Sequence, residues 1–142
     1  SIPGRVVVQT LNDGYPLFDF LRRNDYMGFY RYELEARRAL GYPPFTRLAR
    51  LLIRGIREDR VIKVVNECAD VLNRTISREN LPVQVVGPSP APLTKIAKNY
   101  RHHIILKSTS SVNLTRAAEM VKKSMGSSDV YLEIDIDPYD LL

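Results

Sequence analysis

Apolar and polar residues alternate from Thr46 to Gly55, with Ala49, Leu51 and Ile53 on one side and Leu48, Arg50, Leu52 and Arg54 on the other. A period of two predicts a β-strand. The period then lengthens: Val61, Val64, Val65, Cys68, Leu72 and Ile76 form one stripe between Glu58 and Arg78, which predicts a long amphipathic helix. Val83 to Val86 predicts a short strand, stopped by Gly87-Pro88. Alternation returns at Tyr100 to Lys107, with Tyr100, His102, Ile104 and Leu106 facing one way and Arg101, His103, Ile105 and Lys107 the other. Ser108 to Ser111 offers a cap to a second helix carrying Leu114, Ala117, Ala118, Val121 and Met125, and Gly126 closes it. Val130 to Ile136 predicts the last strand, with Pro138 as its stop. Strand, helix, strand, strand, helix, strand is the ferredoxin-like βαββαβ plan, an α+β fold with an antiparallel sheet and two helices on one face.

The first 45 residues follow another rhythm. Gly4 to Thr10 has a continuous apolar centre, as in a strand buried on both faces of a parallel sheet. No strand–helix alternation follows to build such a sheet, so the expectation is the last strand of a domain whose body lies elsewhere. Pro16 to Arg22 predicts a short helix, with a break near Arg23-Asn24 and a second helix from an Asn24 or Asp25 cap. Tyr26, Phe29, Tyr30 and Leu34 recur there at helical spacing, and the expectation is that the aromatic residues Tyr26, Phe29, Tyr30 and Tyr32 pack against the ferredoxin-like unit. Gly41 followed by Pro43-Pro44 is a stop signal.

Charge narrows the partner. The 142-residue chain carries a formal +5, which favours anionic partners, nucleic acid first and acidic protein tails second. From Asn80 to Ala118 there is no Asp or Glu, while Lys95, Lys98, Arg101, Lys107 and Arg116 supply five positive charges. Lys95, Lys98 and Arg101, with Tyr100 between them and His103 beyond, are the candidate nucleic-acid-binding residues on a proline-shaped loop, because cations neutralise phosphates and rings stack on exposed bases. Glu133, Asp135 and Asp137 share one face of the last strand, as a cation site or as ion-pair partners for Arg50 and Arg54 on the neighbouring first strand. His102 and His103 point to opposite faces and cannot share a metal. The single cysteine, Cys68, sits in a helical stripe and reads as a core residue. There is no Ser/His/Asp set and no Gly-rich phosphate loop, so no catalytic site, cofactor or metal is expected in this stretch. No apolar run approaches the ~20 residues of a membrane span.

Five groups of residues then line up with a family. Gly4-Arg5-Val6-Val7-Val8-Gln9-Thr10, the joint from Glu35 to Phe45, Gly87-Pro88 with Pro90-Ala91-Pro92, Tyr100-Arg101 with Ile104-Ile105-Leu106-Lys107, and Asp135-Ile136-Asp137-Pro138 occur in this order. Together they resemble the C-terminal portion of the primosomal protein N′ family, bacterial replication-restart helicases. The resemblance implies an ATP-dependent 3′-to-5′ DNA helicase as parent, cytoplasmic, with ATP, magnesium and zinc bound outside this stretch. It implies that residues 1–42 end the second helicase lobe, and that residues 43–142 help hold branched or single-stranded DNA. Further implied partners are the acidic tail of single-stranded DNA-binding protein and other primosome proteins. Arg116 and Lys107 are the candidate contacts for that tail, with Ser111 where some relatives carry a basic residue. The alternative is a protein-docking module that braces the helicase core and binds an acidic peptide without touching DNA.

Overall fold

The computed structural model describes residues 4–126 and 129–141. Eight elements follow in order: helices α1 (Leu17–Arg22) and α2 (Tyr26–Ala39), strand β1 (Arg47–Gly55), helix α3 (Glu58–Glu79), strands β2 (Gln84–Ile96) and β3 (Asn99–Ser108), helix α4 (Ser111–Ser124) and strand β4 (Tyr131–Ile136). The four strands form one antiparallel sheet in the order β2-β3-β1-β4. This is the ferredoxin-like α+β arrangement expected from the alternation pattern.

The core lies between the sheet and α3 and α4. Ala49, Leu51 and Ile53 from β1 and Ile104 and Leu106 from β3 meet Val61, Val65 and Leu72 of α3 and Leu114, Ala117 and Val121 of α4. These side chains are fully buried, and truncating one of the large ones to alanine costs about 2–5 kcal/mol in comparable cores. Cys68 is part of this layer, and burial pushes its thiol up to about 11. A thiol so disfavoured from ionising is a packing group and not a nucleophile. Asn80 ends α3 in the left-handed conformation (φ 49°), where the Leu81 N–H donates to the Ile76 carbonyl at 3.0 Å. The expected serine cap of α4 takes a different form. Ser110 is the N-cap but makes no side-chain cap bond. Ser108 Oγ instead donates to the Pro82 carbonyl at 2.8 Å and accepts from the Ser110 N–H at 3.2 Å, tying the end of β3 to the start of β2.

The other sheet face is held by charge. Arg47 pairs with Asp137, Arg54 pairs with Glu133, and Arg50 lies 3.7 Å from Asp135. The acidic strand is thus matched by arginines of β1, and among the described residues no three His, Cys, Asp or Glu side chains converge on a metal position. Arg47 supplies a hydrogen bond and a charge that hold the Asp137 carboxyl below its ordinary value. Between the charged side chains, Leu48, Leu52 and Ile105 are buried on this face. His103 sits in the same face opposite Leu52, with a buried Nδ1 that has no hydrogen-bond partner. Burial first, then the charges of Arg50, His102 and Arg101, push its pKa below the ordinary value.

Three local expectations change. Residues 4–10 pair with no strand among the described residues, and Val6 is 88% exposed. A strand apolar on both faces needs neighbours on both sides, and this segment has none to pair with here. The aromatic stripe of α2 does not pack on the ferredoxin-like unit either: no residue of α2 is buried, and Tyr26 is 73% exposed. The helix packs on α1 through Phe20, whose ring lies 6.1 Å from that of Phe29 and 5.8 Å from that of Tyr32. It reaches the sheet through its C-terminal end instead. Lys107 Nζ donates to the Leu40 carbonyl at 3.0 Å and stands 3.8 Å over the Tyr42 ring, while Thr46 Oγ1 donates to the Gly41 carbonyl at 2.7 Å. Finally, β2 does not stop at Gly87-Pro88 but runs on to Ile96. Prolines suit an edge strand, where a missing N–H on the outer side breaks no ladder bond.

Two outcomes follow from these contacts. Gly87 has φ +100°, and a Cβ there would lie 3.1 Å from the His103 carbonyl oxygen and 3.1 Å from the Ser89 nitrogen. Gly87→Ala is therefore expected to lower unfolding free energy by about 1–3 kcal/mol in urea denaturation; an unchanged midpoint would show that the strand kink tolerates a side chain. His103 is stabilised in its neutral form, so the unfolded chain takes up this proton first as pH falls below about 6.5. Its effect is absent above that value and becomes a progressive loss of stability as pH falls toward the lowered folded pKa. In His103→Gln the decline between neutral pH and the carboxylate range should be shallower. An identical pH profile in the variant would assign the decline to other groups.

Candidate nucleic-acid interface

The acid-free stretch folds as a long β-hairpin and not as a loop. Ala97 and Lys98 make the turn, both left-handed at φ 47° and 68°, and Lys95↔Tyr100 and Ile96↔Asn99 pair across it. Two left-handed residues between paired strands match the strand twist, which ordinarily selects Asn-Gly at such a turn. Asn99 Nδ2 supports it by donating to the Ala97 carbonyl at 3.1 Å. Behind the turn the ladder is irregular: Pro90 pairs with His102 and Lys95 with Tyr100, so residues 91–94 of β2 stand opposite Arg101 alone. Arg101 is accordingly 8% exposed, and its Nη1 donates to the Leu93 carbonyl at 3.1 Å. The expected exposed loop arginine is a strand residue that holds the bulge.

Lys95 and Lys98 remain at the surface. Lys95 Nζ donates to Tyr100 Oη at 3.1 Å and lies 4.2 Å from the centre of the same ring. Tyr100 is half-buried and packs on the core, so the ring carries a lysine where stacking on a base was expected. Lys98 is exposed in the turn. Neither lysine is ion-paired among the described residues, whereas Arg22, Arg37, Arg47, Arg54 and Arg57 all are. His103 is held neutral and half-buried on the open sheet face, so it offers hydrogen-bonding groups there and not charge.

The two candidate acidic-tail contacts stand elsewhere. Arg116 Nε lies 2.6 Å from Glu79 Oε2, and Arg78 lies 3.1 Å from the other oxygen of that carboxylate. Lys107 is engaged by the Leu40 carbonyl and the Tyr42 ring, seven residues along β3 from Tyr100, which is roughly 23 Å at strand rise. The structure therefore brings Lys95, Lys98 and Tyr100 together and leaves Arg116 and Lys107 apart from them. It also exposes two apolar residues near the turn that sequence reasoning missed, Leu93 at 48% and Ile96 at 45%. Their signal was present: two large aliphatic residues three apart in a segment with the composition of a loop, where polar residues are the rule.

Comparison with known proteins covers the stretch that contains this hairpin. The family described as "Primosomal protein N C-terminal domain" matches residues 38–139, which take in the whole sheet and both of its helices. "Replication restart protein PriA" of Synechocystis is 32% identical over 139 residues, 98% of this chain and 16% of that protein. Proteins of the same description from Borreliella burgdorferi and Haemophilus influenzae are 32% and 33% identical, over 96% and 97% of this chain and 20% and 19% of their own lengths. The chain thus spans about a fifth or less of the relatives it matches. With the match covering the sheet, both helices and the hairpin, the chain belongs to the primosomal protein N C-terminal domain family and corresponds to the C-terminal portion of replication restart protein PriA.

Proposed function

We propose that this chain is a DNA-binding C-terminal portion of a replication-restart protein, which helps hold branched DNA through the tip of the β2–β3 hairpin. One observation carries the reading: Lys98 in the two-residue turn and Lys95 beside it in β2 lie at the surface, in a stretch from Asn80 to Ala118 whose sequence contains no Asp or Glu. Elsewhere on the sheet, positive charge is matched by β4 or by backbone carbonyls. At the tip it is left for an external anion, and phosphates are the anion a replication protein meets. In this reading residues 1–42 close the preceding helicase lobe. ATP hydrolysis and unwinding belong to the remainder of the parent protein.

A second partner is included because of one local imbalance. Arg78 and Arg116 share the single carboxylate of Glu79, which leaves net positive charge beside the first turns of α4. The N-terminal end of a helix favours negative charge as well. An acidic peptide, such as the tail of single-stranded DNA-binding protein, suits that position. Titrating labelled acidic peptide and labelled forked DNA against Arg116→Ala and against Lys95→Ala/Lys98→Ala separates the two surfaces. Each variant is expected to weaken only its own ligand, and loss of both ligands in either variant would merge them into one site.

The DNA reading has its own test. Lys95→Ala with Lys98→Ala is expected to weaken forked-DNA binding and to shrink the slope of log K against log[salt] by about 0.9 for each phosphate no longer neutralised. An unchanged slope would remove the hairpin tip from the interface. Lys98→Gly separates charge from conformation. It relieves a left-handed non-glycine residue and should raise stability by about 1 kcal/mol while still weakening DNA binding. Greater stability with undiminished affinity would remove the Lys98 charge from the DNA interface.

A further inference from the structure

Charge explains the lysines of the hairpin but not the aliphatic side chains beside them. Ile96 directly precedes the turn, and Leu93 lies in the bulge behind it, each close to half-exposed. Ile56, 72% exposed, follows Gly55, the β1 residue paired with Tyr100, so it borders the same end of the sheet. Exposed aliphatic surface is unfavourable in water, and a turn is where polar residues cost least.

The backbone beneath these side chains is fixed. The turn has only two residues, the pairs Lys95↔Tyr100 and Ile96↔Asn99 close it, and the Arg101 guanidinium holds the Leu93 carbonyl at 3.1 Å. Tyr100 is packed on the core below and carries Lys95 at 4.2 Å on its ring. Ile96 and Leu93 therefore stay at the surface.

An apolar end flanked by unmatched lysines selects its partner on two counts. The lysines require an anion, and the missing carboxylates from Asn80 to Ala118 make a polyanion the favourable case. The aliphatic groups require an apolar surface next to that charge. The outside of an unbroken duplex presents phosphates and groove edges, with its base faces stacked away. A branch point or strand end presents the flat face of its last base pair, bordered by phosphates. Aliphatic side chains inserted at base steps are a known way of unstacking them.

We propose that the hairpin tip is a wedge seated on the terminal base pair at a DNA branch point. Ile96 and Leu93 press on the exposed base face, and Lys95 and Lys98 meet the phosphates on either side. This rests on the nucleic-acid reading above and adds the feature of the DNA that is read and the residues that read it. Tyr100 is a positioning residue in this arrangement, since its ring carries Lys95 and is not presented to a base.

The test uses this chain with forked DNA carrying 2-aminopurine either at the branch-point base pair or well inside the duplex arm, with every free arm end closed by a loop, and with a matching unbranched duplex closed by loops at both ends so that it presents no terminal base-pair face. The wild-type chain should raise fluorescence at the branch point and leave the interior base unchanged. Leu93→Ser with Ile96→Ser should abolish that rise and narrow the fork-over-duplex affinity ratio by about tenfold. Lys95→Ala with Lys98→Ala should weaken both DNAs alike and leave the ratio in place. Fork binding with no rise in the wild type, or an unaltered affinity ratio in the serine variant, overturns the wedge while the DNA reading stands. No binding to either DNA overturns both.

Discussion

The structure depends on β3 being paired along both edges. Nine consecutive residues of β1, from Arg47 opposite Ser108 to Gly55 opposite Tyr100, run beside it without a break. On its other side β2 starts in register, kinks at Gly87, bulges at residues 91–94 and rejoins at the turn. Every feature of interest refers to this strand. Ile104 and Leu106 anchor the core, Arg101 ties the bulge, Tyr100 seats Lys95, and Lys107 receives the end of α2. A change that weakened β3 would loosen the core and the surface together.

Charge is divided across the sheet in a way that assigns its two borders different work. β4 carries Glu133 and Asp135, and β1 offers Arg50 and Arg54 to meet them. Cross-strand pairs of this kind add only about 0.2–1 kcal/mol each, so their main effect is to fix which strand lies beside which. β2 brings no acid at all, and β3 turns Arg101 and Lys107 toward backbone carbonyls. The lysines at the turn are left facing solvent. The functional candidate is thus what remains after the sheet has used the rest of its own positive charge.

Much of this is legible in the sequence, because the signals are periodic. The stripe from Val61 to Leu72 and the alternation of Ala49, Leu51 and Ile53 arise from one-sided burial, and one-sided burial is what a layered fold imposes. The pairing of Arg50 and Arg54 with the acidic strand follows once strand order is known. Sequence and structure part where no period exists. Prolines at 88, 90 and 92 have the composition of a loop, because sequence does not show that the segment is an edge strand whose outer N–H groups go unused. Ala-Lys does not announce a left-handed pair as Asn-Gly does, so the two-residue turn has no local signature. Arg101 has the pattern of a surface cation, since nothing near it in sequence reveals that a bulged carbonyl lies opposite. The stripe of Tyr26, Phe29 and Tyr30 is periodic, yet periodicity gives a face and not the neighbour that covers it.

The contact between Lys107 and the Leu40 carbonyl gives β3 a mechanical role. The N-terminal helices grip one end of the strand, where Lys107 bridges the end of α2 and the Tyr42 ring, and the hairpin turn forms the other end. A strand hydrogen-bonded on both edges does not stretch or bend easily between its ends. A displacement of the end of α2 would therefore be felt first at Lys107, at the opposite end of β3 from the hairpin turn.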